Sequence, residues 1–212
     1  MTADPFRAGS KRALPVAPAP FQAALADAPP GVDCVWLRPG AARIRVASWK
    51  AGDKGTVLLL PGRTECVEKY GRAAGDLVAR GFSVITIDWR GQGLADRPLP
   101  DRMTGHVEDF AEYQEDLDAM LAEARRVDLP EPFYLMAHSM GGCIGLRGLM
   151  RGIPVQAAVF SAPMWGIAMA SWLRPVASVV SALSRPLGFA HRYAPTTGGQ
   201  SYLVQFPFDG NV

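Results

Sequence analysis

Two rhythms of hydrophobic and polar positions alternate along the chain: short apolar runs and longer stretches with helical spacing. Asp33–Leu37 and Ala42–Trp49 predict a leading hairpin turned at Pro39-Gly40. Thr56–Leu60, Phe82–Ile87, 133–137 and 157–161 predict buried strands. Between them, Tyr70, Ala73, Ala74, Leu77 and Val78 recur at helical spacing until Gly81 ends the helix. Val107, Phe110, Tyr113, Gln114, Leu117, Leu121 and Ala124 outline a second amphipathic helix, with Glu108 and Asp109 expected in its first turn. A third helix is expected over 140–151. Strands alternating with helices predict an α/β fold, its mostly parallel sheet covered by helices on both faces. After Met164 the rhythm changes. Trp165, Met169, Trp172, Val176, Val179, Val180 and Leu183 keep one apolar helical face, with a kink expected near Pro175.

The candidate chemistry lies where an apolar run meets a helix. Phe133-Tyr134-Leu135-Met136-Ala137-His138 leads into Ser139-Met140-Gly141-Gly142. A strand turning sharply into a helix around a serine forms a nucleophile elbow, which lifts the hydroxyl clear of the sheet. The positions two before and two after the serine must be small, and here they are Ala137 and Gly141. Upstream, Thr56–Leu60 breaks at Pro61-Gly62. Alone, that break reads as an ordinary strand-end turn. With the elbow it reads as an oxyanion loop, whose donors would be the backbone amides of Arg63 and Met140. The glycine-rich loop 88–97 is followed by neither a lysine-serine pair nor a G-x-G-x-x-G pattern, so it is not a phosphate cradle.

Four segments carry a resemblance to a known family: Leu60-Pro61-Gly62-Arg63-Thr64-Glu65, Asp88-Trp89-Arg90-Gly91-Gln92-Gly93, Gly105-His106-Val107 and Ala137–Gly142, with Ser161-Ala162-Pro163-Met164 also fitting. Together they resemble α/β-hydrolases of the monoacylglycerol lipase and lysophospholipase group, the serine aminopeptidase S33 or hydrolase 4 type. The resemblance runs from about Val35 to the C-terminus. Many members have His-Gly where this chain has Pro61-Gly62, a change in side chain that leaves the backbone role of the loop intact. It implies an α/β-hydrolase fold with a cap, a serine ester hydrolase and a single-chain lipid ester as substrate. No cofactor or metal is implied. The family's cap covers the active site and forms an acyl tunnel at the position of Trp165, Met169 and Trp172. An aromatic and methionine stripe serves equally well as plain core, and both readings stand.

Composition narrows the setting. A hydrophobic share of 49% and a net charge of +2 over 212 residues suit one globular domain and suggest no nucleic-acid partner. After Ser139 the charges are Arg147, Arg151, Arg174, Arg185 and Arg192 against Asp209. That basic third suits an anionic interface or phosphate head group, and equally a solvated arginine face. Cys34, Cys66 and Cys143 have no metal or redox spacing and suit a reducing compartment. The Pro/Ala-rich N-terminus lacks the continuous apolar stretch of a signal peptide. The uncharged stretch from Gly152 to Leu173 is interrupted at Ser161-Ala162-Pro163, so a strand followed by a cap segment is expected rather than a membrane span. The expected layout is an N-terminal arm over 1–32, a hydrolase core over 33–163 and a cap over 164–212, in a cytoplasmic protein with peripheral membrane contact as an option.

A serine nucleophile needs an imidazole base and a carboxylate to orient it, and this fold takes them in the order serine, acid, histidine. After Ser139 the chain has His191 and then Asp209, the reverse order. His138 should point away from the serine, and His106 is expected to be structural. The sequence therefore predicts that the closing strands carrying acid and base are missing, and that 1–212 is an inactive fragment. The competing class is a catalytically dead module of the same fold that binds an acyl ligand or partner.

Overall fold

The computed structural model describes residues 17–166, 170–184, 186–189 and 191–193. Seven strands form one sheet in the order β1-β2-β3-β5-β4-β6-β7. They are β1 (Ala17–Pro18), β2 (Val32–Leu37), β3 (Ile44–Trp49), β4 (Thr56–Leu60), β5 (Ser83–Asp88), β6 (Phe133–His138) and β7 (Val155–Ser161). The hairpin β2–β3 and its neighbours β1 and β5 pair antiparallel, whereas β5, β4, β6 and β7 run parallel. The helices are α1 (Ala23–Ala26), α2 (Gly71–Ala79), α3 (Glu112–Arg126), α4 (Met140–Met150) and α5 (Leu173–Ser184). Each strand predicted from the sequence is present, with ends shifted by at most a few residues.

Two apolar layers sandwich the sheet. On one face Leu58, Leu60, Ile85 and Ile87 pack with Tyr113, Leu117 and Met120 of α3 and with Met140 and Ile144 of α4. On the other, Ala47, Trp49, Leu59 and Val84 pack with Ala74, Leu77 and Val78 of α2. Strands buried on both faces carry near-continuous apolar runs, and every residue of β3, β4 and β5 is buried. The lead-in wraps this second layer: Phe21 meets Trp49 edge-to-face at 5.7 Å, and Trp49 donates its indole N–H to Pro29 O at 3.0 Å.

Two helices differ from expectation. The second begins at Glu112, so Val107 and Phe110 pack against the core from a loop, and Glu108 and Asp109 precede the helix. The Asp109 amide donates to Glu112 Oε1 and the Ala111 amide to Asp109 Oδ1, two local bonds that hold the segment just ahead of the helix. Glu112 and Glu115 are the acids of its first turn. After β7, α5 starts only at Leu173, so Trp165 and Trp172 of the expected apolar helical face precede it, and Pro175 is its third residue. A proline in the first turn removes an N–H that would lack an intrahelical acceptor anyway.

A buried ionic cluster ties the hairpin to the parallel strands. Arg45 on β3 is bidentate to Glu68, at 2.8 and 2.7 Å, and donates Nε to Asp88 Oδ2 at 2.8 Å at the end of β5. Asp88 also accepts the amides of Val67 and Leu94, each at 2.8 Å. Burial alone would raise the Glu68 carboxyl, but the Arg45 hydrogen bonds, backbone hydrogen bonds that include the Gln22 amide, and the Arg45 charge together hold the group below its ordinary range. Arg45→Met would strand two carboxylates and should cost about 3–5 kcal/mol in a urea titration. A loss under about 1 kcal/mol would refute the cluster's structural weight. Because the folded pKa of Glu68 is lowered, its contribution is complete above the unperturbed value of 4.5 and fades as pH falls through the folded value. The gap between wild type and Arg45→Met should therefore narrow on acidification below that pH.

Candidate active site

Ser139 sits between β6 and α4 with φ 49° and ψ −116°, a conformation that L-residues other than glycine rarely adopt. The surrounding structure holds it there. Its amide donates to Ser161 O at 3.1 Å, and its carbonyl accepts the amides of Gly142 and Met164, each at 2.9 Å. A Cβ on Gly141 would fall 2.4 Å from Leu60 O and 2.5 Å from Pro61 O. No side chain fits there, because the first turn of α4 lies directly on the end of β4. Ala137 is fully buried, and its methyl group is accommodated.

The loop after β4 approaches the serine just as closely. A Cβ on Gly62 would stand 3.1 Å from Ser139 Cβ. The next residues are braced from within the loop and from outside it. Glu65 accepts the Gly62 amide, the Tyr70 hydroxyl and the Lys69 ammonium. Burial would raise the Glu65 carboxyl, but these hydrogen bonds hold it below its ordinary range. Thr64 has φ 62°, unusual for a β-branched residue, and its amide donates to the Gln92 side-chain oxygen. Trp89 donates to Pro61 O at 3.0 Å. Gly62 and Thr64 thus both have acceptors for their amides, whereas the amides of Arg63 and Met140 have none among the described residues. The Arg63 side chain is anchored away from its own amide, donating to Thr104 O at 3.2 Å.

The histidines take other partners. His138 Nδ1 lies 3.1 Å from Ser161 O, and its Nε2 lies 3.9 Å from Glu65 Oε1. His106 faces Glu108 at 3.3 Å. His191 lies beyond α5, and Asp209 falls outside the described residues. No imidazole among the described residues is hydrogen-bonded to the Ser139 hydroxyl.

Of the expected acyl-contact residues, Trp165 packs edge-to-face on Phe160 at 5.2 Å and donates to Gly142 O at 3.3 Å, so it is tied to the elbow helix. Trp172 is 72% exposed just before α5, and Met169 lies outside the described residues. Burial raises the Cys66 thiol, near the loop, above its ordinary range, which disfavours a reactive thiolate there. Among the described residues, no group of three or more His, Cys, Asp or Glu could hold a metal ion. No described helix is long and apolar enough to cross a membrane. Sequence reasoning had not singled out Glu65, Gln92 or Trp89 as supports of the loop. All three stand in the family-like segments, but only the fold shows what they hold.

Comparison with known proteins places these features in a family. The family model described as serine aminopeptidase, S33 matches residues 51–200. Lysophospholipase L2 of Escherichia coli is 42% identical over 112 residues, covering 52% of this chain and 33% of that protein. A probable lysophospholipase L2 of Haemophilus influenzae is 30% identical over 138 residues, covering 65% and 43% respectively. Among solved structures, a monoacylglycerol lipase of Paleococcus ferrophilus superposes with a TM-score of 0.53 at 23% identity, covering 67% of this chain and 52% of that one. A monoglyceride lipase of Saccharomyces cerevisiae gives 0.54 at 20%, covering 79% and 55%. The chain thus spans between a third and about half the length of these proteins. The sheet order, the elbow at Ser139 and the match over 51–200 lead to one conclusion: this chain has the α/β-hydrolase fold and belongs to the serine aminopeptidase S33 family.

Proposed function

We propose that the whole protein hydrolyses carboxylic esters of single-chain glycerolipids, lysophospholipids or monoacylglycerols, with Ser139 as nucleophile. The observation that carries this reading is the strained Ser139 at the end of a parallel strand, with the acceptor-free amides of Arg63 and Met140 beside it. Ser139 Oγ attacks the ester carbonyl, and its oxygen takes up negative charge as the tetrahedral intermediate forms. Two amides already in place stabilise that charge without reorganising at the moment of reaction. Collapse expels the alcohol and leaves an acyl-serine, which water then hydrolyses. The Ser139 proton needs an imidazole base. His106 and His138 are turned to Glu108 and Ser161, so neither is assigned that role.

The similarity to lysophospholipases supports a substrate with one acyl chain. Trp165, fixed on the elbow helix beside Phe160, supports an apolar contact close to the acyl carbonyl. Trp172 and Met169 are proposed to extend it along the chain. Arginines in the C-terminal third suit a phosphate-bearing head group or a brief contact with an anionic lipid surface. A cytoplasmic setting agrees with three free cysteines.

In the complete protein, Ser139→Ala should lower p-nitrophenyl ester hydrolysis by about a million-fold and abolish fluorophosphonate labelling. Retention of more than a few per cent of the rate would show that Ser139 is not the nucleophile. A wild-type protein that neither hydrolyses esters nor labels would instead indicate a binding module of the same fold.

Substrate preference supplies a second test. Hydrolysis of a lysophospholipid should exceed that of its diacyl counterpart by at least about tenfold in kcat/KM, the discrimination available to a pocket from very small size differences. Equal rates on the two lipids would rule out the single-chain reading.

A further inference from the structure

The loop after β4 offers three consecutive amides, and two side chains, Glu65 of the same loop and Gln92 of the loop after β5, take the outer two. Glu65 accepts the Gly62 N–H, and Gln92 accepts the Thr64 N–H. Arg63 N–H, between them, has no acceptor among the described residues. We propose that Glu65 and Gln92 are positioning residues for ester hydrolysis, which occupy the amides flanking Arg63 and thereby hold the Arg63 N–H ready for the developing oxyanion. The inference rests on the reading of Ser139 as nucleophile.

Each brace is itself fixed. The Glu65 carboxylate also accepts Tyr70 and Lys69, and its Oε1 faces His138 Nε2 of the elbow at 3.9 Å. One side chain therefore connects the oxyanion loop to the strand that carries the serine. Gln92 is 2% exposed, and its amide nitrogen lies 3.7 Å from Met140 Sδ. Met140 carries the second proposed oxyanion donor, so Gln92 touches both halves of the site. Thr64 remains at φ 62°. A β-branched residue leaves such a conformation unless its surroundings over-determine it, and the Gln92 bond is one of those determinants.

An ordinary turn has no use for this pattern. Were the braces absent, Thr64 could relax toward negative φ, and the peptide planes on both sides of Arg63 would rotate with it. The Arg63 N–H would then no longer point where the oxyanion forms, and small misplacements of such a donor cost rate. The ground-state ester makes little use of that donor, so the loss falls on kcat rather than KM.

The experiment compares Glu65→Gln and Gln92→Leu with wild type in the complete protein, with rates normalised to sites titrated to completion by a fluorophosphonate. Glu65→Gln keeps the volume but offers one acceptor oxygen where three donors converge, and Gln92→Leu removes the acceptor for Thr64. We expect kcat to fall by about tenfold or more in each, below the 10²–10³-fold ceiling for deleting a donor outright, with KM within about twofold. Binding of a trifluoromethyl ketone, which adds to serine to give an anionic hemiketal, should weaken in parallel, while a non-hydrolysable ether analogue of the substrate binds as before. If Glu65→Gln fails to fold, Tyr70→Phe loosens the same carboxylate and should lower kcat in the same way. Variants whose kcat per titrated site stays within about twofold of wild type would overturn the inference, including any whose only defect is a smaller titratable fraction. Ser139→Ala separates the two claims. If it is active, the nucleophile reading fails, whereas an inactive Ser139→Ala beside fully active brace variants sinks this inference alone.

Discussion

The site depends on the close approach of two pieces of backbone. The first turn of α4 rests on the carbonyls of Leu60 and Pro61, at a distance that leaves no room for a side chain on Gly141. That contact sets the angle at which β6 turns into α4 and keeps Ser139 in its unusual conformation. It also brings the loop after β4 against the serine, where a Cβ on Gly62 would stand 3.1 Å from Ser139 Cβ. Ser139 and the loop after β4 are therefore placed by one packing event. Moving either strand end would separate them.

Polar groups then hold what the packing brings together. On one side the buried trio Arg45, Glu68 and Asp88 ties the antiparallel hairpin to the end of β5, where the loop carrying Trp89 and Gln92 begins. On the other, Glu65 gathers donors from its own loop and from the turn that leads into α2. Arg90 closes the far edge of the same loop, with two bonds to Asp116 of α3 at 3.0 and 2.7 Å. A carboxylate or amide with several donors is costly to displace, because any one that leaves strands the others in a poorly solvated space. Segments without regular secondary structure thereby acquire the rigidity that a preorganised oxyanion hole requires.

The α5 region has a different character. Its valines and leucines are largely exposed, as are Trp172, Leu187 and Phe189. β7 forms the edge of the sheet among the described residues, with Val159 60% exposed. The core and elbow are over-determined by packing, whereas among the described residues this part of the chain is tied to the core by Trp165 on the elbow helix and by a Tyr193–Asp101 hydrogen bond of 2.6 Å.

Much of this was legible in the sequence because the causes are local. Apolar runs of strand length, helical periodicity and small residues around Ser139 act through neighbours a few positions away, so the strands, α2, α4 and the elbow follow from the chain itself. The start of α3 was not legible: Val107 and Phe110 keep helical spacing, yet Asp109 bonds locally to the Glu112 side chain and the Ala111 amide in a turn ahead of the helix. Nor was the start of α5 at Leu173, since the apolar spacing runs on from Trp165 and only the structure locates the first turn, which holds Pro175. The partners of Glu65 and Gln92 belong to the same class. Gln92 and Thr64 are separated by 28 positions, and Arg45 and Asp88 by 43. No periodicity encodes such pairs, because they form only when the sheet order places β5 beside both β3 and β4. The sequence by itself determined the elements and the identity of the serine. The tertiary structure decided which amides near that serine are already satisfied and which have no acceptor among the described residues, because hydrogen-bond satisfaction depends on groups brought together in space rather than along the chain.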